Sequence, residues 1–161
     1  MTQKITTFFT YKEKAEEAAA LYASVFADSR IVSTMKGPDG KVMGVEFELA
    51  GQRFNALNGG PSFTFADGIS LSVSCDTQNE IDEYTAKLIA GGGEQGPCGW
   101  IKDHFGVSWQ IVPAVLGRLI GDSAHPDMAG RAMQAMLKMK KLDIAALERA
   151  HAGDAPTGTR A

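Results

Sequence analysis

The sequence has few cysteines and no excess of basic residues, so it offers little for disulfide bonds, for redox chemistry or for binding to polyanions. Its two cysteines, Cys75 and Cys98, are too few for a disulfide framework and do not form a Cys-x-x-Cys motif. Its 16 lysines and arginines are outnumbered by 19 acidic residues, which gives a formal net charge of −3. Proteins that bind nucleic acid concentrate their cations on one surface, and the one dense basic run, residues 138–141, ends a predicted helix. We therefore expect no nucleic-acid partner.

Long apolar runs are absent as well. No segment reaches the ~18–20 apolar residues that cross a bilayer, and residues 1–4 do not open the ~7–15-residue apolar run of a secretory signal. We therefore expect a cytoplasmic protein with no membrane partner. The apolar fraction of 44% in 161 residues is enough for one core without disulfides or a metal. This composition predicts a single domain over residues 1–161.

Motifs for nucleotide cofactors and catalytic nucleophiles are missing. The sequence has no P-loop and no Gly-x-Ser-x-Gly elbow. The glycine run at residues 91–93 follows a predicted helix, whereas a phosphate-binding loop precedes one, so the run is interpreted as a helix stop. Cys75 falls on the apolar face of a predicted strand, and Cys98 lies near a strand edge without a neighbouring base. The sequence offers no activated nucleophile.

The order of predicted elements occurs twice along the chain. Module one, about residues 4–60, is predicted as a strand, a helix over residues 12–27 and three further strands. Module two, about residues 68–115, repeats this order with a helix over residues 78–90. A parallel doubly wound sheet is disfavoured because several connections are tight turns and only two helices precede the tail. The pattern predicts an α+β fold of two βαβββ modules.

A helical tail follows the second module, over about residues 122–152. Pro126 suits a helical first turn, and Asp143 is a suitable cap for a second helix. The tail has an apolar stripe at helical spacing, which suits a core or dimer contact better than a partner groove. The stripe is formed by Met128, Ala132, Ala135, Met136 and Met139.

The strand predicted over residues 69–75 indicates where a pocket lies. Apolar and polar residues alternate along it, so the apolar set packs on the helix that follows and the serines share the other face. That polar face meets either water or a pocket. The corresponding face of the first strand carries Phe8, and a phenyl ring suits a pocket wall better than open water. The pattern favours a cavity lined by this face of each module.

Three stretches of the sequence carry a family resemblance. They are Ala-Glu-Glu-Ala at residues 15–18 leading to Tyr22 and Phe26, Gly-Ile-Ser-Leu-Ser-Val at 68–73, and Cys-Gly-Trp-Ile-Lys-Asp-His-Phe-Gly-Val-Ser-Trp-Gln-Ile-Val-Pro at 98–113. Together they resemble the PhnB-like branch of the vicinal oxygen chelate (glyoxalase, bleomycin-resistance and dioxygenase) superfamily, whose members often carry the label 3-demethylubiquinone-9 3-methyltransferase-like. The resemblance implies a mixed sheet curled around the site, and a homodimer in which modules pair within one chain or by a module swap.

The resemblance also implies where a metal would be held. Metal-dependent members use four inward side chains, typically histidine or glutamate, and their last ligand block resembles Asp-x-x-Gly-x-x-x-Glu. Here Asp103 and Gly106 are followed by Gln110, so an amide replaces the carboxylate. The four corresponding positions are Thr6, Asn55, Ser70 and Gln110. Neutral amides and hydroxyls are weak ligands for divalent transition metals. We therefore expect no tight metal site and no cofactor.

The remaining pocket candidates are aromatic and small polar side chains. The full set is Thr6, Phe8, Phe54, Asn55, Asn58, Phe63, Phe65, Ser70, Ser72, Trp100 and Gln110. Aromatic rings supply contact area while amides and hydroxyls fix orientation, so this set suits an uncharged, partly aromatic small molecule. Two functions stay open: a protein that binds this ligand without chemistry, or an enzyme of the same fold, a transferase or a weakly metal-dependent activity, acting on an aromatic or quinone-like substrate. The missing metal ligands favour binding.

Overall fold

In a computed structural model of the chain, residues 3–153 are described, and they form two compact units. The first unit is the chain up to Ala66 together with Phe105–Val107, and the second is the rest. The ends of the predicted single domain, residues 1–2 and 154–161, lie outside the described residues. Between residues 3 and 153 no helix is long and apolar enough to cross a membrane.

The first unit is a four-stranded mixed sheet with one helix. Its elements are β1 Thr7–Tyr11, α1 Ala15–Val25, β2 Arg30–Lys36, β3 Val42–Leu49 and β4 Gln52–Asn58. The strand order is β1-β4-β3-β2, in which β1 pairs with β4 in parallel and the other pairs are antiparallel. Tight turns join β2 to β3 and β3 to β4, where Gly40 and Gly51 adopt φ values of +77° and +80°. The predicted βαβββ order is confirmed.

The core of the first unit is an aromatic cluster under α1. Phe9, Phe47 and Phe54 point to one side of the sheet, and the Phe47 and Phe54 rings stack with centroids 5.4 Å apart. The α1 positions that face them are mostly alanines, which let the helix approach the sheet closely, and Tyr22 is fully buried among the rings. Its hydroxyl lies 3.1 Å from that of Tyr11, so neither buried phenol lacks a hydrogen bond.

The second unit repeats the same order of strands around α2. Its sheet consists of β5 Leu71–Cys75, β6 Glu94–Gln95, β7 Trp100–Lys102 and β8 Ser108–Pro113, with α2 at Gln78–Ile89. The strand order is β5-β8-β7-β6, and β5 pairs with β8 in parallel. Thr77 and Glu80 form a reciprocal capping box at the start of α2. Each half of the chain is therefore one βαβββ module, and the predicted α+β fold is present.

Residues 96–102 of the second module do not form one continuous strand. Cys98 and Gly99 have φ values of +55° and +82°, and the regular strand begins only at Trp100. The interruption has a long-range cause, since the amide of Cys98 donates to the Met139 carbonyl at 2.9 Å and that of Gly99 to the Lys140 carbonyl at 2.7 Å. The backbone of this segment therefore pairs with the tail.

The tail forms a small helical core in the second unit. It contains α3 Leu116–Ile120, α4 Pro126–Leu137 and α5 Ile144–Ala152. The buried residues at its centre are Leu119, Ala132, Leu142 and Leu147. The predicted helix start at Pro126 and the Asp143 cap are confirmed, with the Asp143 carboxylate accepting from the Ala146 amide at 2.8 Å. Helix α3 was not predicted, because its five residues are too few for a periodic pattern.

Two side chains of α2, Gln78 and Asp82, make polar contacts with the tail. The amide group of Gln78 donates to the Leu142 carbonyl at 3.0 Å and accepts from the Ile144 amide at 2.9 Å. One side chain thus satisfies backbone groups where α5 begins. Lys141 also forms an ion pair with Asp82 at 2.7 Å, though both are about half exposed and contribute little. The tail is therefore docked on its own module by apolar packing and by Gln78.

Two positions of the second unit, Gly99 and Gly130, differ in whether the structure requires glycine there. A Cβ at Gly130, inside α4, would meet no atom within 4 Å, and its φ is not positive. Glycine in a helix interior costs about 1 kcal/mol relative to alanine. We therefore expect Gly130→Ala to raise the free energy of unfolding by about 0.5–1 kcal/mol in urea denaturation.

The matched control is Gly99→Ala. At this position φ is +82° and a Cβ would lie 2.6 Å from the Ile111 carbonyl oxygen, so this variant is expected to lower the free energy of unfolding. Equal destabilisation by both substitutions would contradict the difference between the two sites.

Candidate ligand-binding site

The polar face of the second sheet carries three predicted pocket residues in one row. Ser72 on β5 is directly opposite Gln110 on β8, and Gln110 is opposite Trp100 on β7. Residues opposite each other in adjacent strands point to the same side of a sheet. Trp109 and Ile111, which flank Gln110, are buried on the other side. The strand pairing therefore brings a hydroxyl, an amide and an indole together.

A hydrogen bond fixes the amide at the centre of this row. Gln110 Nε2 donates to Ser70 Oγ at 2.9 Å, joining residues 40 positions apart in the sequence. This contact holds the glutamine side chain against the start of β5. It leaves the Gln110 carbonyl oxygen as an acceptor and the Ser70 hydroxyl proton as a donor, since no other partner for either is found among residues 3–153. The pair can therefore both donate to and accept from a ligand.

A groove of about 400 Å³ adjoins Trp100 in the second unit. Trp100, Lys102 and Ser108 line it together with Asp67 and Glu94. Lys102 Nζ lies 2.8 Å from Asp67 Oδ1, and this hydrogen bond raises the pKa of Lys102 above its ordinary value. Lys102 and Asp67 were not predicted. Lys102 shares the strand face of Trp100, which is the signal that could have found it.

The first sheet has an equivalent row. Phe8 on β1 is opposite Asn55 on β4, and Asn55 is opposite Glu46 on β3. Asn55 and Gln110 thus hold the same place in their modules, each on the strand parallel to the opening strand. A shallow groove of about 200 Å³ runs over this row and includes Met35. Glu46 was not among the predicted site residues, because its place beside Asn55 depends on strand register.

The carboxylate of Glu46 is already occupied. It forms an ion pair with Arg53 and accepts a hydrogen bond from Ser33 Oγ at 3.3 Å. The Arg53 side chain is about half exposed and that of Glu46 about one-third, so solvent screening limits what the pair adds to stability. It does, however, neutralise the one carboxylate in this row.

Three predicted pocket residues have structural positions instead. Phe54 is 4% exposed and lies in the aromatic core, because alternation along β4 turns it away from the side that Asn55 faces. Asn58 accepts from the Ala15 amide at 2.9 Å and donates to the Val42 carbonyl at 3.0 Å, so its amide secures the start of α1. Phe65 packs edge-on to Tyr11 with ring centroids 5.0 Å apart. Burial in the core removes Phe54 from the pocket set, whereas a part in a pocket stays a prediction for the half-buried Asn58 and Phe65.

Two candidates of the first unit lie at the margins of its sheet. Thr6 is half-buried and immediately precedes β1, which begins at Thr7. The ring of Phe63 is half exposed and lies over Gly59, where a Cβ would come within 2.8 Å of it. Their part in a pocket stays a prediction.

The residues at the four metal positions do not fit a divalent cation. Thr6, Asn55, Ser70 and Gln110 include no imidazole, thiolate or carboxylate. The amide hydrogen of Gln110 is directed at Ser70, so these two groups bond to each other as neutral partners. Within residues 3–153 no cluster of three histidine, cysteine, aspartate or glutamate residues could hold a metal. We therefore derive no metal chemistry for this face.

We expect purified protein to show no stoichiometric binding of Ni²⁺ or Zn²⁺ in calorimetric titration, because the donor set is neutral. Thermal shift in the presence of either ion should likewise be negligible. Stoichiometric binding that is lost in Gln110→Ala would contradict this prediction.

Cys75 is buried, and its environment opposes ionisation. Burial, with smaller contributions from Glu80 and Asp76, raises the pKa of its thiol to about 12. At pH 8 only about one in ten thousand of these thiols would be ionised. We therefore expect iodoacetamide at pH 8 to alkylate the half-buried Cys98 before Cys75, as measured by peptide mass spectrometry. Faster labelling of Cys75 in the folded protein would show that its thiol is accessible and activated.

Comparisons with known proteins agree with the fold. The family model described as 3-demethylubiquinone-9 3-methyltransferase matches residues 3–112. Among solved structures, the chain is 37% identical to a PhnB protein from Bacillus cereus, with a TM-score of 0.60, covering 70% of this chain and 100% of that one. A search among curated proteins finds no match.

Two more distant structures are similar in fold alone. Protein PA1353 from Pseudomonas aeruginosa is 18% identical, with a TM-score of 0.55, covering 70% of this chain and 98% of that one. The fosfomycin resistance protein FosX from Listeria monocytogenes, solved with Mn(II) and a sulfate ion, is 17% identical, with a TM-score of 0.52. That match covers 69% of this chain and 91% of FosX. The family model ends at residue 112, before α3, α4 and α5 begin.

Proposed function

Because the chain belongs to the 3-demethylubiquinone-9 3-methyltransferase family, in the PhnB-like branch of the vicinal oxygen chelate superfamily, we propose that it is a small-molecule-binding protein. It holds an uncharged, partly aromatic ligand on the polar face of the second sheet. The observation that carries this proposal is the hydrogen bond between Gln110 and Ser70 beside the ring of Trp100.

The chemistry of this face supports a neutral ligand. Trp100 offers a flat apolar surface, while Gln110 and Ser70 offer one acceptor and one donor that need no charged partner. The cation in the adjoining groove, Lys102, is neutralised by Asp67, and Glu94 adds a further negative charge. An anion would therefore be repelled there. The groove volume of about 400 Å³ is within the range of small-molecule sites, ~300–1,000 Å³.

An enzyme acting on an aromatic or quinone-like substrate is the second candidate. The family description supports it, and Glu46 provides one carboxylate on the equivalent face of the first sheet. A nucleotide-type methyl donor would need a glycine-rich loop before a helix, whereas the glycines at 91–93 follow α2. Glu46 is also engaged by Arg53. Binding without chemistry is therefore the proposal we place first.

We also propose that the protein acts as a cytoplasmic homodimer. The open face of the first sheet leaves Phe8 57% and Met35 54% exposed, and apolar surface of this kind is commonly covered by a partner. The modules pair either within one chain or by a swap between two copies, and a measurement of the assembly distinguishes these arrangements. The cytoplasm agrees with two cysteines that are both free.

The test is release and rebinding of whatever ligand the protein carries. The protein is denatured, its small molecules are identified by mass spectrometry, and rebinding to refolded protein is followed by isothermal titration calorimetry. We expect Gln110→Leu to weaken rebinding about tenfold through loss of one polar anchor, and Trp100→Ala to weaken it by at least about tenfold. Gln52→Leu, at the exposed first residue of β4, is the matched control and should bind normally.

Two results would contradict the proposal. One is unchanged rebinding by both Gln110→Leu and Trp100→Ala. The other is chemical conversion of the released molecule by wild-type protein that depends on Asn55 and Gln110, which would establish the enzyme.

A further inference from the structure

The tail contains a groove that none of the predicted site residues lines. It lies between α4 and α5, has a volume of about 790 Å³, and is the larger of the two grooves described for the second unit. Its lining includes Ala135, Met139, Ala146 and Ala150, which make an apolar floor. The volume is within the ~300–1,000 Å³ typical of small-molecule sites.

Three cations, Arg131, Lys138 and Arg149, line this groove. None of them forms an ion pair with any residue between 3 and 153. Among the same described residues, one carboxylate, Asp127, is also in the lining. The whole chain has a net charge of −3, so this excess of positive charge is local. An anionic group at the groove would therefore be attracted rather than repelled.

Arg131 is held in place by the end of α5. Its Nε donates to the Ala150 carbonyl at 3.0 Å and its Nη2 to the His151 carbonyl at 2.8 Å. These bonds fix the guanidinium while leaving further N–H donors unused. They also put Arg131 and Arg149 at the same end of the groove, whereas Lys138 lies where the chain leaves α4. Asp127, in the first turn of α4, lies at this end as well, so two guanidinium groups and one carboxylate border it and the balance of charge there is positive.

Gly130 explains why the groove is open. It lies in the interior of α4 and lines the groove, yet a Cβ there would meet no atom within 4 Å and its φ is not positive. Neither backbone conformation nor close packing therefore requires glycine here, although glycine weakens a helix. The missing side chain does leave space in the groove.

We propose that this groove binds a single-chain amphiphile with an anionic head group. The head group lies at the Arg131–Arg149 end, and the apolar chain lies over Ala146 and Met139. A carboxylate and a phosphate monoester share the chemistry that the guanidinium groups recognise. The site shares no residue with the Trp100–Gln110 face, so an experiment can exclude either proposed site without excluding the other.

The test titrates the full chain with amphiphiles below their critical micelle concentrations, followed by calorimetry. The probes are dodecanoate and dodecyl phosphate, which separate the two head-group sources, and dodecyltrimethylammonium as the cationic control. We expect saturable binding of at least one anionic probe and binding of the cationic probe at least about tenfold weaker. Absence of saturable anionic binding, or equal binding of the cationic probe, overturns the proposal.

Two pairs of variants locate the binding. Gly130→Leu fills the groove and should weaken binding at least about tenfold, while Gly117→Leu, at an α3 position where a Cβ also meets nothing within 4 Å, should not. Arg149→Ala should weaken binding of the anionic probes several-fold. Lys140 is an exposed cation outside the groove lining, so Lys140→Ala should leave their binding unchanged. Circular dichroism checks that each variant is folded. Normal binding by both Gly130→Leu and Arg149→Ala would overturn the site.

Discussion

The parallel pairing of the opening strand with the last strand of each module is the constraint on which both polar faces depend. In the second module it sets Ser72 beside Gln110, and in the first it sets Phe8 beside Asn55. Side chains alternate along a strand, so a shift of one residue would turn Gln110 into the core and Trp109 out of it. The buried aromatic and aliphatic residues on the helix side oppose that shift. The core therefore positions the candidate site.

Much of this fold could be predicted because its local signals agree with its tertiary packing. The alternation in residues 71–75 correctly separated the apolar from the polar face, although Ile69 precedes β5 and is 69% exposed. The turns after β2 and β3 contain the glycines that their positive φ values favour. Pro126 and Asp143 mark the helix starts where they were expected. In each case a few adjacent residues carry the information.

The errors arose where a side chain depends on a distant partner. Phe54 and Asn55 are adjacent, and only the register of β4 decides which of them meets the aromatic core. Asn58 is committed to α1 by a contact 43 positions away and to β3 by one 16 positions away. The interruption at Cys98 follows from backbone pairing with the tail. A sequence gives no local sign of these contacts, and Glu46 was not predicted as a site residue for the same reason, whereas alternation with Trp100 could have indicated Lys102.

The central claim is that the chain binds a neutral organic molecule without a metal. The amide of Gln110 and the hydroxyl of Ser70 are neutral and hydrogen-bond to each other. This distinguishes the face from a metal centre more directly than any other feature. Native mass spectrometry of the purified protein tests this in one spectrum, since it reports subunit number, bound ions and retained small molecules together. We expect a metal-free dimer that carries an organic ligand. A stoichiometric divalent ion in the wild-type spectrum, lost in Gln110→Ala, would contradict it.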